Sequence, residues 1–305
     1  MPFDPSDARS KLSPGAGSGN TVVPTSFAGA EYLRFYELPP TVQRPGGSSW
    51  IGRGQNFVLE YTDLDGELEL TRRNQPDEYA VLLPDATVTA EFTTSAERLS
   101  VAGDSLTFVP PGDSTVRLSG TGRVIRLLTA QASDLAASAA NAASYVDDHP
   151  NVAPLVPWPE PVSGYRLHAY SLDVPGLESP PFRIFRCTTF MVNYIRPTKG
   201  PRNVKKMSPH THDDFEQCSL VISGEYAHHI RWPWSTDLDT WRPDDHELCG
   251  SPSVCVIPPP TIHTSQAIGS GTNHLIDIFA PPRVDFSRMK GWILNADDYP
   301  ASPEV

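Results

Sequence analysis

Cysteine is scarce: four in 305 residues, Cys187, Cys218, Cys249 and Cys255, with no CxxC pair. That spacing does not support a structural zinc knuckle, and it reads as reduced thiols rather than a disulfide framework. Basic residues are also in deficit. Lys and Arg total 24 against 36 Asp and Glu, a formal net charge of −12. Such a surface repels phosphate backbones, so a nucleic-acid partner is not expected. No run of about 18 apolar residues is present, so no membrane span is expected. The opening stretch MPFDPSDARSKLSPGAGSGN has no apolar signal-peptide core. Residues 1–25 are read as a flexible arm, and the expected location is cytoplasmic.

What is abundant is punctuation. There are 32 prolines and 21 glycines, with 39% hydrophobic residues to supply a core. Long helices do not survive that spacing of breakers, whereas many short strands do. From residue 55 onward such strands follow in succession: QNFVLEYTDL, GELELTRR, EYAVLLPD, TVTAEFTTS, AERLSVA, DSLTFVPP, STVRLSG and RVIRLLTA. Residues 131–146, QASDLAASAANAASYV, are rich in alanine and free of proline and glycine, which predicts one helix. DDHPNVAPLVPWPEPVSG (147–164) carries five prolines and marks the best domain boundary. Strand-like text then returns from 165 to 285. The expected organisation is a flexible arm (1–25), an N-terminal β domain (26–130), a helix and Pro-rich linker (131–164), a C-terminal β domain (165–285) and a tail (286–305).

Chemistry concentrates in SPHTHDDFEQ (208–217). In extended chain, His210 and His212 project to the same side. Glu216 shares their parity, and beyond it the even positions Cys218, Leu220 and Ile222 are more apolar than the odd set Gln217, Ser219, Val221 and Ser223. The even face is therefore expected to point into a barrel, carrying Glu216 with it. A buried carboxylate is costly unless an ion compensates it. A fourth donor is expected from SVCVIPPPTIHTS (253–265), where a strand ends in three prolines and His263 follows.

HTHDDFEQCSLVISG, from His210 to Gly224, resembles the first cupin motif, and PPPTIH, from Pro258 to His263, resembles the second, with Pro260 where glycine is usual. The resemblance implies His210, His212, Glu216 and His263 as a three-histidine, one-glutamate metal set. Counting back from Gly224 by the usual family spacing lands on Gln217. The parity pattern, and the stronger affinity of a carboxylate for a divalent ion, favour Glu216. In the first half, EYAVLLPD (78–85) and GDSLTFVPPG (103–112) look like the same motifs, but Arg72, Asn74 and Thr115 stand where histidines would.

The whole then resembles a bicupin, with an all-β fold of two tandem cupin-type β-barrels (jelly rolls) joined by a short helix and Pro-rich linker, and only the second barrel binding metal. The resemblance implies a metal-dependent enzyme, first a mononuclear non-haem iron dioxygenase on a small oxygen-bearing substrate. The alternatives are an isomerase or lyase on a sugar acid or carbonyl compound, and a non-catalytic binding cupin. One divalent ion per chain is expected, Fe(II) first, with Mn, Ni, Zn or Cu also compatible. The expected partners are a small, anionic substrate, dioxygen in the oxygenase case, and a second copy in a homodimer. His228, His229, Arg231 and Tyr226, in GEYAHHIRW, are the candidate catalytic residues: a histidine for proton transfer and Arg231 for a carboxylate.

Overall fold

The computed structural model describes residues 28–174, 182–235 and 237–303; the expected arm at 1–25 lies outside the described residues. The first half forms β1 (Glu31–Arg34), β2 (Val42–Arg44), β3 (Gly47–Arg53), β4 (Phe57–Gln75), β5 (Tyr79–Leu83), β6 (Val88–Thr94), β7 (Arg98–Ala102), β8 (Ser105–Val109) and β9 (Gly112–Thr129), then the short helix α1 (Ser133–Ser138). The second half forms β10 (His168–Ser171), β11 (Phe182–Arg186), β12 (Met191–Ile195), β13 (Thr198–Lys199), β14 (Glu216–Ser223), β15 (Tyr226–Arg231), β16 (Asp245–Cys249), β17 (Ser253–Ile257), β18 (Ile262–Ala267), β19 (Thr272–Ala280) and the short helix α2 (Val284–Ser287). All described strand pairs are antiparallel, and the fold is all-β with two tandem barrels.

The N-terminal sheet runs β10-β8-β5-β9-β4-β3-β2, with β6 also beside β9 and β7 beside β6. The C-terminal barrel has a sheet ordered β1-β17-β14-β19-β12-β11, with β13 beside β19, and a three-stranded sheet β16-β15-β18. Two strands cross over between the halves. β1 pairs with β17 of the C-terminal barrel, Glu31 opposite Val256, and β10 pairs with β8 of the N-terminal barrel, His168 opposite Phe108. The boundaries at 26 and 165 therefore do not separate the two sheets: each barrel borrows its edge strand from the other half. Covering an edge in this way satisfies its N–H and C=O groups.

The largest core lies between the barrels. Phe57, Leu59 and Tyr61 of β4, Ala80 and Leu82 of β5, Val192 and Tyr194 of β12, Cys218, Leu220 and Ile222 of β14, and Ile276 and Ile278 of β19 share one apolar cluster. The opposite faces of these strands line each barrel's own interior. In the N-terminal barrel that interior holds Tyr79, Val81, Val116 and Leu118, with the buried Glu60–Arg126 ion pair on the same face. So the apolar even face of β14 points at the neighbouring barrel, and its polar odd face points inside its own.

The expected helix at 131–146 is shorter than its alanine content suggests. α1 stops at Ser138, and a tight turn at Ala142–Tyr145 follows. The interruption has a tertiary cause. The Ala140 N–H donates to the Ile51 carbonyl, and the Asn141 side chain bridges the backbone of Arg53, accepting from its N–H at 3.0 Å and donating to its C=O at 2.8 Å.

Candidate metal centre

Three prolines end β17, since proline cannot donate to a ladder, and deliver the chain to β18 with His263 near its start. His210 lies on the segment before β14 and exchanges two backbone hydrogen bonds with His263, at 3.1 and 2.8 Å. His212 comes two residues later, its ring stacked on Phe215 with centroids 3.8 Å apart. The three imidazoles form a group, with ring centres 4.4 Å (His210–His263), 4.9 Å (His212–His263) and 6.2 Å (His210–His212) apart. At the far side of β14, Gly224 (φ +83°) turns the chain against Asn273, where a Cβ would collide with the Asn273 side-chain oxygen.

The group closes on Gln217, not Glu216. Gln217 Oε1 is 3.2 Å from His212 Nε2 and 3.1 Å from His263 Nε2. Its amide nitrogen donates to Ser219 Oγ (3.0 Å) and to Asp277 Oδ1 (3.2 Å), and Ser219 Oγ also donates to Asp277 Oδ1 (2.6 Å). Glu216 points the other way. Its Oε1 accepts the Gln55 N–H and its Oε2 the Asn56 N–H, each at 3.0 Å, both from the N-terminal barrel. Burial pushes the Glu216 carboxyl up to about 7, against the pull of those two N–H donors. The parity expectation fails because the more apolar face of β14 is the one packed on the other barrel.

The donor set can be tested against a cation. Burial holds His263 down to about 4 and keeps His212 well below the ordinary histidine range, so both rings are neutral at pH 7. His263 Nδ1 lies 3.1 Å from the Thr261 carbonyl, which can only accept. A neutral ring has one N–H for these two acceptors, Thr261 O and Gln217 Oε1; with the hydrogen on Nδ1, Nε2 keeps its lone pair. Asp277 fixes the Gln217 amide with its oxygen toward the imidazoles. In that tautomer two lone pairs face each other at 3.1 Å with no proton between them, a repulsive arrangement that a cation relieves. Among the described residues no group of three or more His, Cys, Asp or Glu side chains is arranged to hold an ion by itself. The atoms that converge are His212 Nε2, His263 Nε2 and the Gln217 oxygen, with the His210 ring beside them.

The candidate catalytic residues divide by face. His228 lies inside, 1% exposed, with Nδ1 2.8 Å from Ser265 Oγ and no partner for Nε2 among the described residues. Burial, then the neighbouring His263, pushes it down to about 3. Tyr226 also faces inward, packed with Val221, Ala267 and Leu275, and burial raises its phenol. His229 and Arg231 lie on the outside. His229 contacts His246 (Nδ1 to Nδ1, 2.8 Å) and Gln266, and Arg231 forms an exposed ion pair with Asp244 at 2.7 Å. Arg231 therefore does not reach the histidine group.

Other residues also stand near the site. His274 and Asp277 of NHLIDIFA have opposite parity, so only one of them can face the histidines, and it is Asp277 that reaches Gln217. Asn193, opposite Asp277 on β12, has a buried Oδ1 without a partner among the described residues. Arg283 is buried among Phe215, Phe279 and Phe286, bonded to Asp285, and its charge helps to depress His212. In the N-terminal barrel the position of Gln217 is taken by Tyr79, whose hydroxyl pairs with Ser114 Oγ at 2.9 Å. Ser114, not Thr115, faces that interior. Arg72 is engaged by Asp134 and Gln75.

No protein-family model and no curated protein matches the chain. Solved structures do. AerE from Microcystis aeruginosa is 8% identical with a TM-score of 0.52, the match covering 84% of this chain and 99% of that one. The formate complex of Lactobacillus farciminis oxalate decarboxylase is 12% identical with a TM-score of 0.55, covering 83% and 86%. Bacillus subtilis oxalate decarboxylase, in a study of its Mn(II) centres, is 12% identical with a TM-score of 0.53, covering 85% and 80%. The crossed edge strands, the shared inter-barrel core and these likenesses agree: the chain has a bicupin fold.

Proposed function

We propose that the C-terminal barrel is a metal-dependent enzyme site for a small, anionic, oxygen-bearing substrate. The observation that carries this reading is the convergence of His212 Nε2 and His263 Nε2 on the Gln217 oxygen, with the His210 ring beside them. His210, His212, His263 and Gln217 would hold the ion. Imidazole and amide donors carry no charge when they bind an ion, so none of its charge is cancelled by a ligand, which favours an anionic substrate. A divalent ion held there would supply Lewis acidity toward a carbonyl or carboxylate oxygen, and Fe(II) would extend that to dioxygen chemistry.

The chain's own groups complete the site. Asp277 orients the Gln217 amide. His228, neutral at pH 7 and held through Nδ1 by Ser265, presents Nε2 as a proton acceptor. Asn193 Oδ1 is a further acceptor for a substrate hydroxyl. This arrangement suits a lyase or isomerase, and the similar oxalate decarboxylases support that reading. The iron dioxygenase is the second reading, favoured by the imidazole-rich donor set. A homodimer and a cytoplasmic location belong to the same proposal; among the described residues no helix is long and apolar enough to cross a membrane.

The test is metal analysis of the protein and of His212→Ala and Gln217→Ala after loading with Mn(II) or Fe(II). One ion per chain is expected, lost in His212→Ala and bound about tenfold or more weakly in Gln217→Ala. Substrate turnover without dioxygen uptake selects the lyase or isomerase, and uptake selects the oxygenase. No ion in the wild-type protein after loading overturns the reading.

A further inference from the structure

The two halves meet through a reciprocal contact. Glu216, at the start of β14, accepts the backbone N–H groups of Gln55 and Asn56, in the turn between β3 and β4. Glu78, immediately before β5, accepts the N–H and hydroxyl of Thr188, in the turn between β11 and β12, at 3.2 and 3.1 Å, and the Tyr299 hydroxyl at 2.6 Å. The two turns match each other. Gly54 N–H bonds to the Phe57 carbonyl at 3.0 Å, and Cys187 N–H to the Phe190 carbonyl at 2.8 Å. Each barrel thus presents a turn to the glutamate of the other.

The symmetry breaks at the residue after each glutamate. Beside Glu78 stands Tyr79, in an interior without histidines. Beside Glu216 stands Gln217, whose oxygen lies among His212 and His263. We infer that Glu216 is a positioning residue through which the N-terminal barrel sets the metal centre of the C-terminal one. Two N–H donors fix its carboxylate from outside the barrel, which anchors the first residue of β14. The adjacent side chain then enters the interior at a set position. The loop carrying His212 and Phe215 runs directly into the same anchor. Gly54 completes the contact: a Cβ there would collide with the Glu216 carboxylate and the Phe57 ring. This gives the N-terminal barrel, which has no such histidine group, a part in the chemistry of its neighbour.

The inference rests on the metal reading above, and the experiment separates the two. Co(II) is titrated into the full-length wild type, Glu216→Gln, Gly54→Ala and Glu78→Gln, recording affinity, visible absorption and thermal midpoint. A Gln at 216 retains the size but turns an N–H toward an N–H donor. Glu216→Gln and Gly54→Ala are expected to bind Co(II) about tenfold or more weakly, with an altered absorption band. Glu78→Gln loosens the same interface from the other side. It is expected to lower the thermal midpoint while keeping wild-type Co(II) affinity and absorption. Wild-type affinity and absorption in Glu216→Gln would overturn the positioning role and leave the metal centre standing. Equal weakening in Glu216→Gln and Glu78→Gln would reduce the contact to a general brace, which also overturns it. No Co(II) uptake by the wild type would remove the metal centre and the positioning role together.

Discussion

One residue separates Glu216 from Gln217, and within a strand one residue is a change of face. That step moves a carboxylate out of the donor set and an amide into it. The same alternation sorts GEYAHHIRW: His228 is inside and His229 and Arg231 are outside. His228→Ala is therefore expected to lower kcat by about 10²-fold or more while leaving the bound metal in place, as removal of a general acid or base does. Arg231→Ala, on an exposed ion pair, is expected to change neither kcat nor KM measurably. A rise in KM for an anionic substrate in Arg231→Ala would contradict the placement of that guanidinium outside the site.

At the scale of elements, the informative feature is a repeat located after each barrel. NAASY (141–145) and NADDY (295–299) share asparagine, alanine and tyrosine at the same spacing. Asn295 does for Arg186 what Asn141 does for Arg53. It accepts the Arg186 N–H at 3.0 Å and donates to the Arg186 carbonyl at 2.8 Å. The alanine-rich stretch reads as helix by propensity, but the bridging asparagine redirects it, and a tertiary bond outweighs local preference. Asn295 is 3% exposed, so Asn295→Ala leaves two backbone groups unpaired in the interior. The expected cost is about 2–4 kcal/mol, measured by denaturant unfolding.

At the scale of the molecule, the barrels share one core and exchange edge strands, so they are expected to unfold together. Their interface also carries a pH dependence. His274 lies beside Tyr194, with ring centres 4.8 Å apart, near Arg123 and Asp85. Burial first, and then Arg123, holds it down to about 4, while the Ile195 carbonyl and Asp85 pull upward. An unfolded histidine takes its proton near pH 6.5. The unfolded chain therefore binds that proton first as the pH falls. Stability from this group is complete above about pH 6.5 and is lost progressively toward pH 4, by at most about 3 kcal/mol. The drop in thermal midpoint between pH 7 and pH 4 is expected to be smaller in His274→Asn than in the wild type. Equal drops would remove His274 as a source.

By itself the sequence determined the strand-rich class, the two-fold repetition, the poverty of histidine in the first half, and the close placing of His210 and His212, with His263 joined to them only by the cupin resemblance. Those properties follow from local periodicity, proline punctuation and residue identity, which a linear reading contains. Only the tertiary structure decided which face of β14 looks into its barrel. An apolar face identifies a buried side, but when both sides are buried it does not say what it is buried against. The core between the barrels took Cys218, Leu220 and Ile222, together with Glu216, and left Gln217 to the histidines. The crossed strands β1 and β10, the shortened α1 and the clamp between Glu216 and the Gln55–Asn56 turn have the same origin. Each depends on contacts between residues far apart in the chain, where no local pattern records the partner.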